Sequence, residues 1–221
     1  MKYGKSTKYA YLCYSDVPVS LRWMLPLFSE NRVSPLGELV AAAWRGSLMG
    51  NRGRIAHGQP PAMAWITCTL SPREGRQTEP LYTKLFFSDE AASLAAGHRP
   101  CAQCRPAEYK RFKAAWCQAL GTTSIRAHEI DRRLARDRSK PRSLLSATDI
   151  AGLPDGAFVL ADRYGPCAAM GGLLLPWRDG RYADAIEPRS VSGCRLVTPA
   201  TTLEAMRAGY QADISKEGEE T

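Results

Sequence analysis

Two cysteines separated by two residues, Cys101 and Cys104 in "AAGHRPCAQCRP", constrain this chain more than any other feature. The spacing lets both sulfurs reach one point in space, as a metal site or a redox pair requires, and alone it does not choose between them. A thioredoxin-like pair belongs at the end of a strand in a βαβ unit. This motif instead follows a helical stretch and Arg99-Pro100, and Pro106 stands where the first position of a new helix falls. Unpaired N–H groups at a helix start favour thiolates. A closed tetrahedral site then needs two further donors.

The upstream sequence offers them. Cys68 lies in "AWITCTL", which reads as a buried strand, and His57 lies in the Gly-rich stretch "GNRGRIAHG" just before it. His57, Cys68, Cys101 and Cys104 make a Cys3His donor set for one Zn2+ ion. Four of the seven cysteines remain: Cys13 is remote, Cys117 falls within a helix, and Cys167 and Cys194 belong to a β-patterned region. They read as structural thiols. The N-terminal stretch has lysines but no apolar core of a secretory signal, and no run of about 18 apolar residues suggests a membrane span. Seven cysteines in that context point to a reducing compartment, hence a soluble cytoplasmic protein.

The pattern along the chain predicts an α+β fold: a small zinc-stabilised α/β module, a helical connector and a small β-rich C-terminal domain. Residues 1–45 form an N-terminal region of unclear role, with a strand at "KYAYLCY" and a helix at "SPLGELVAAAW". Residues 46–121 hold the zinc module, with strands at "AWITCTL" and "LYTKLFF". A short helix follows at "SDEAASLAAG", N-capped by Ser88, and a longer one runs through "AEYKRFKAAWCQAL". Residues 122–152 are the basic connector, helical near "AHEIDRRLARD". Residues 153–212 are the β-rich domain, with a hairpin through Asp179-Gly180 and a last helix at "ATTLEAMRAGY". Residues 213–221 read as a disordered tail. Trp65, Phe86, Phe87, Tyr109 and Phe112 are expected to share one small core around the zinc.

The net charge of +8 and pI near 9.2 suggest a polyanionic partner. Basic residues concentrate from Arg99 to Arg142, where acids are few. Arg99 and Arg105 flank the cysteine pair, and Lys110, Arg111 and Lys113 follow on the next helix, away from its apolar face of Tyr109, Phe112, Trp116 and Leu120. These five are the candidate nucleic-acid-binding residues, making phosphate contacts without base reading.

Residues 85–106, "LFFSDEAASLAAGHRPCAQCRP", resemble the zinc-binding domain of the Ada DNA alkylation-repair proteins and the related zinc modules of bacterial nucleases and competence proteins. The shared pattern is an aromatic strand end, a Ser/Asp-Glu-Ala helix, Ala-Gly-aromatic-Arg-Pro and Cys-x-x-Cys-Arg. "GNRGRIAHG" is similar to the opening of those modules, so the resemblance spans about residues 50–106. It implies zinc ligation by Cys101 and Cys104. Those families place their upstream pair as Cys-x3-Cys or His-x3-Cys, whereas ten residues separate His57 from Cys68, so these two carry over by role. His98 takes the position of an aromatic, which implies a packing or phosphate-contacting ring.

The reading is therefore a zinc-stabilised protein that binds nucleic acid, DNA favoured, without an evident catalytic constellation. The resemblance implies one alternative, an alkyl acceptor in which zinc-bound Cys68 takes a methyl group from a phosphotriester. Another is a zinc-clipped protein-interaction or nuclease-associated module. Asp89 and Glu90 read as helix-capping and surface charge.

Overall fold

Short strands alternate with helices whose apolar stripes face inward, and in the computed structural model they assemble into two sheets joined by shared helices. The structure describes residues 32–33, 35–36, 39–40, 49–51, 63–68, 85–178 and 181–214. The first sheet comprises β1 (Arg32–Val33), β2 (Leu39–Val40), β3 (Met49–Asn51), β4 (Ile66–Cys68), β5 (Leu85–Phe87) and β6 (Arg99–Pro100), in the order β2-β1-β5-β3-β4-β6. The second comprises β7 (Phe158–Ala161), β8 (Gly165–Met170), β9 (Leu173–Arg178), β10 (Arg181–Tyr182) and β11 (Arg195–Leu196), in the order β10-β9-β8-β7-β11. The helices are α1 (Glu90–Ala95), α2 (Pro106–Ala119), α3 (Ala127–Arg138), α4 (Ala147–Ala151) and α5 (Ala200–Arg207). The mixed α+β class expected from the sequence is present.

Every residue of α1 is buried, Glu90 included. Its alanines, Ala91, Ala92, Ala95 and Ala96, let the helix approach Phe158, Ala168 and Trp177 of the second sheet closely. Leu94 points the other way, into a cluster with Phe112 and Trp116 of α2, Ile130 and Leu134 of α3, and Ala205 and Tyr210. The second sheet is buried on both faces by period-2 alternation. Phe158 and Ala168 face α1, while Val159, Cys167 and Ala169 face Ile150, Leu203 and Met206. Gly171 and Gly172 (φ +57° and +78°) form the two-residue turn between β8 and β9, a geometry that asks for positive φ at both positions.

Several sequence expectations change. Residues Leu39–Val40 are a strand antiparallel to β1, turning at Pro35 and Leu36, where the helical stripe predicted a helix; strand pairing outweighs local propensity. The N-cap of α1 is Asp89, whose Oδ1 accepts the Ala92 N–H at 2.7 Å, and Ser88 instead accepts the Trp177 indole N–H at 3.2 Å. The presumed connector and the β-rich region share cores with the cysteine-bearing module through α1, α3 and α5, so boundaries at 121 and 152 do not part the packing. The presumed tail is tied down at its start. The Asp213 carbonyl accepts the Ala91 N–H at 3.0 Å, and the Asp213 N–H donates to Glu90 at 3.2 Å. Phe87 and Phe112 fall in different clusters, so the aromatics do not form one core around the cysteines. The "KYAYLCY" stretch, Asp179, Gly180 and residues 215–221 lie outside the described residues, although the Arg178–Arg181 register agrees with the expected hairpin.

Asp89 carries a pH dependence. Burial lifts its carboxyl from 3.8 to about 6, against the hydrogen bonds from Ala92, Tyr182 and Ser88 that pull the other way. The folded state therefore holds a proton that the unfolded chain releases near pH 4, and stability falls as pH rises from about 4 through 6. The span corresponds to about 3 kcal/mol. Asp89→Asn keeps a capping acceptor and is expected to remove this component, read as a flatter plot of denaturation free energy between pH 4 and 7.

Candidate metal centre

Parallel pairing of β4 with β6 builds the centre. Thr67 stands opposite Pro100, so the residues that follow each, Cys68 at the end of β4 and Cys101 just past β6, come to lie side by side. The Cys101 N–H donates to the Thr67 carbonyl at 2.9 Å, which locks this register. The chain then turns through residues 102–104, and the Arg105 N–H donates back to the Cys101 carbonyl at 3.0 Å as α2 begins. That turn returns Cys104 beside Cys101. One sulfur from each of Cys68, Cys101 and Cys104 lies within 4.8 Å of the others, an arrangement able to hold a metal ion. Tetrahedral ligation with metal–sulfur bonds of about 2.3 Å requires sulfurs somewhat under 4 Å apart, so the cluster is within about 1 Å of that spacing.

The thiols are electrostatically unequal. Burial pushes Cys68 up to about 12, and proximity to Cys101 and Cys104 adds to the rise. Cys101 is also buried, yet it is lowered below its ordinary value, because the backbone N–H groups of Cys104 and Gln103 hydrogen-bond its sulfur. Such N–H donation prepares a thiolate for a cation. Cys68 does not ionise at neutral pH without a positive charge beside it. A divalent cation supplies it and would release the bound protons.

Two buried ion pairs hold the cysteine turn at both ends. Before it, Arg99 makes a two-point contact with Asp131 of α3, Nε to Oδ1 at 2.7 Å and Nη2 to Oδ2 at 3.0 Å. After it, Arg105 Nη2 meets Glu90 Oε1 of α1 at 2.9 Å, and the same carboxylate accepts the Tyr210 hydroxyl at 2.7 Å. A third arginine, Arg138, secures β4. It donates to the carbonyls of Met63 at 2.9 Å and Gly97 at 2.9 Å, and its guanidinium lies 4.1 Å from the Trp65 ring centroid. Gly97 has φ +86°, and a Cβ there would stand 2.6 Å from Arg138 Cδ, so both conformation and contact require glycine.

These contacts revise the expected sites. Cys68, Cys101 and Cys104 come together as predicted, and His57 lies outside the described residues. His98 is buried between Trp65 and Phe87, with ring centroids 5.1 and 4.7 Å away, in keeping with a packing ring. Arg99 and Arg105 are only 5% and 7% exposed, so neither belongs to an open phosphate-contacting surface; each is committed to a buried carboxylate. Lys110 and Arg111 are exposed and Lys113 is half-buried. Glu90, expected as surface charge, is a buried anchor. Sequence reading missed Glu90, Asp131 and Arg138 as supports of the centre. No local pattern in the sequence sets these three apart from solvated charges.

Removing one partner of such a pair leaves an unmatched buried charge, which costs about 3–5 kcal/mol. Asp131→Ala is therefore expected to destabilise the fold by roughly that amount in urea denaturation. It should also weaken metal retention against a chelator by about 10-fold or more, as loss of a supporting contact around a metal site does. Among the described residues no helix is long and apolar enough to cross a membrane. No protein-family model matches the chain, and comparison with curated proteins and with solved structures returned no match.

Proposed function

We propose that this chain is a zinc-binding protein that binds nucleic acid, DNA in the first place, beside a structural Cys3His site made by His57, Cys68, Cys101 and Cys104. The observation that carries the reading is the convergence of three cysteine sulfurs from β4 and the Cys-x-x-Cys turn within 4.8 Å. Three sulfurs, with no carboxylate converging on them among the described residues, make a soft donor set, which suits zinc over magnesium or calcium. The position of β3 supports His57 as the fourth donor. Gly50 pairs with Cys68, so the chain leaves β3 at Asn51 close to the cysteines, six positions before His57. Six residues span up to about 20 Å, ample for a return.

Charge balance favours a structural role. Zinc with three thiolates and a neutral imidazole carries one negative charge. The adjacent arginines already have carboxylate partners, so that charge sits among neutralised pairs. The alkyl-acceptor alternative needs Cys68 open to a phosphotriester, and Cys68 is 6% exposed in an apolar strand. The nucleic-acid reading rests on the net charge of +8, the Ada-like motif around the Cys-x-x-Cys pair and the basic residues Lys110, Arg111 and Lys113 that α2 leaves accessible.

Two measurements test this reading. Metal analysis of the purified protein is expected to give one zinc per chain, lost in Cys101→Ser and Cys68→Ser and reduced in His57→Ala. Zinc retained by both cysteine variants would contradict the site. Binding to duplex DNA is expected to weaken with salt at a log–log slope near −3, roughly three engaged phosphates. Neutralising Lys110, Arg111 and Lys113 together should flatten that slope, and an absence of salt-dependent binding would remove the nucleic-acid reading.

A further inference from the structure

Helix α3 faces inward through Ile130, Leu134 and Asp131, and its outer side is unusually basic. Arg132, Arg133 and Arg136, with Lys140 just beyond the helix end, line an open groove of about 1020 Å³ whose apolar floor includes the exposed Met63 and the half-buried Leu120. Glu129 is the one acid in that lining. Its carboxylate accepts the Arg126 N–H at 2.7 Å, which caps the helix. The other acids of α3 are committed elsewhere. Asp131 holds Arg99, and Asp137 accepts from the Thr201 backbone N–H at 2.9 Å and from Lys140 at 3.0 Å. Arg132, Arg133 and Arg136 thus form no ion pair with an acid of the described residues.

Arg136 lies three and four residues from Arg133 and Arg132, and like charges so spaced oppose helix formation by a few tenths of a kcal/mol per pair, against the attraction of Glu129 for Arg132 and the favourable place of Arg136 in the last turn. A face of this charge offers sites to an external polyanion. Arg132 and Arg136 are about 6 Å apart along the helix axis, which lets neighbouring guanidinium groups engage successive phosphates. The apolar floor distinguishes the forms of nucleic acid. A duplex offers such a groove only its phosphates, whereas a single strand offers phosphates to the rim and base faces to the floor.

We propose that the α3 groove is a track for a single nucleic-acid strand, with Arg132, Arg133 and Arg136 on its phosphates and Met63 and Leu120 beneath its bases. The inference rests on the nucleic-acid reading above and adds a second surface, distinct from Lys110, Arg111 and Lys113.

The test is fluorescence anisotropy of the zinc-loaded full chain with a labelled mixed-sequence single-stranded DNA 20-mer, its duplex and inorganic polyphosphate of matched charge. R132E/R133E/R136E is compared with the milder R132Q/R133Q/R136Q and with a Lys110, Arg111, Lys113 neutral variant, each checked for zinc content and thermal melting. The groove variants are expected to weaken single-strand binding at least 10-fold and to reduce its log–log salt slope by about 2, three phosphate contacts at roughly 0.7 each. Duplex affinity should change less, and polyphosphate should bind more weakly than the strand. Groove variants that bind the single strand like wild type would overturn this proposal and leave the nucleic-acid reading to the α2 surface. An equal loss for duplex, or polyphosphate bound as tightly as the strand, would overturn the single-strand assignment. Wild-type protein that binds neither form of DNA would overturn both readings.

Discussion

The Cys-x-x-Cys turn is suspended between two buried arginine–carboxylate pairs, and the arrangement of the helices follows from them. Arg99 reaches across to Asp131 on α3 and Arg105 reaches to Glu90 on α1, so the short segment between two arginines is tied to two helices at once. Buried pairs of this kind add little net stability over a well-packed apolar substitute, because desolvating both ions offsets most of their attraction. What they fix is geometry. A two-point contact such as Arg99–Asp131 specifies orientation as well as distance, and an apolar contact does not. The Tyr210 hydroxyl and the Asp213 N–H complete the coordination of Glu90, which extends the same network to the end of the described chain.

This framework explains how a metal site can be prepared in a protein of ordinary size. The sulfurs are brought together by strand register and a tight turn, and the backbone N–H groups at Cys101 lower one thiol before any cation arrives. Cys68 is the opposite case, raised by burial, so its deprotonation depends on the charge that a metal brings. Binding is then linked to proton release, and metal affinity must fall as pH falls. Because α1 and α5 pack both on the second sheet and on the cluster that holds α2 and α3, the three cysteines are braced by cores of which they are not part.

The sequence was most legible where local chemistry and tertiary structure agree. Pro106 at the start of α2, the stripe of Phe112 and Trp116, and Gly209 with φ +98° just beyond α5 mark elements that formed where expected. Legibility failed where neighbours decide. Strand β8, "GPCAAM", has weak intrinsic strand preference and becomes a strand because β7 and β9 pair with both its edges. The apolar periodicity across residues 34–44 suggested a helix, yet Leu39–Val40 pairs with β1. In the site, the cysteine pair was legible because its spacing is chemically restrictive, and Cys68 because it closes a strand. The carboxylates were not. Asp131 lies 32 residues from Arg99, and no local pattern distinguishes it from a solvated helical charge. The same blindness placed Arg99 and Arg105 on an imagined basic surface.

The measurement that bears most directly on this account is X-ray absorption at the zinc edge of the purified, zinc-loaded chain, compared with Cys68→Ser. The account predicts three sulfur scatterers at about 2.3 Å and one nitrogen at about 2.0–2.1 Å. It also predicts the loss of one sulfur, or of the metal altogether, in the variant. A first shell of oxygen and nitrogen without sulfur, or a spectrum unchanged by Cys68→Ser, would contradict it.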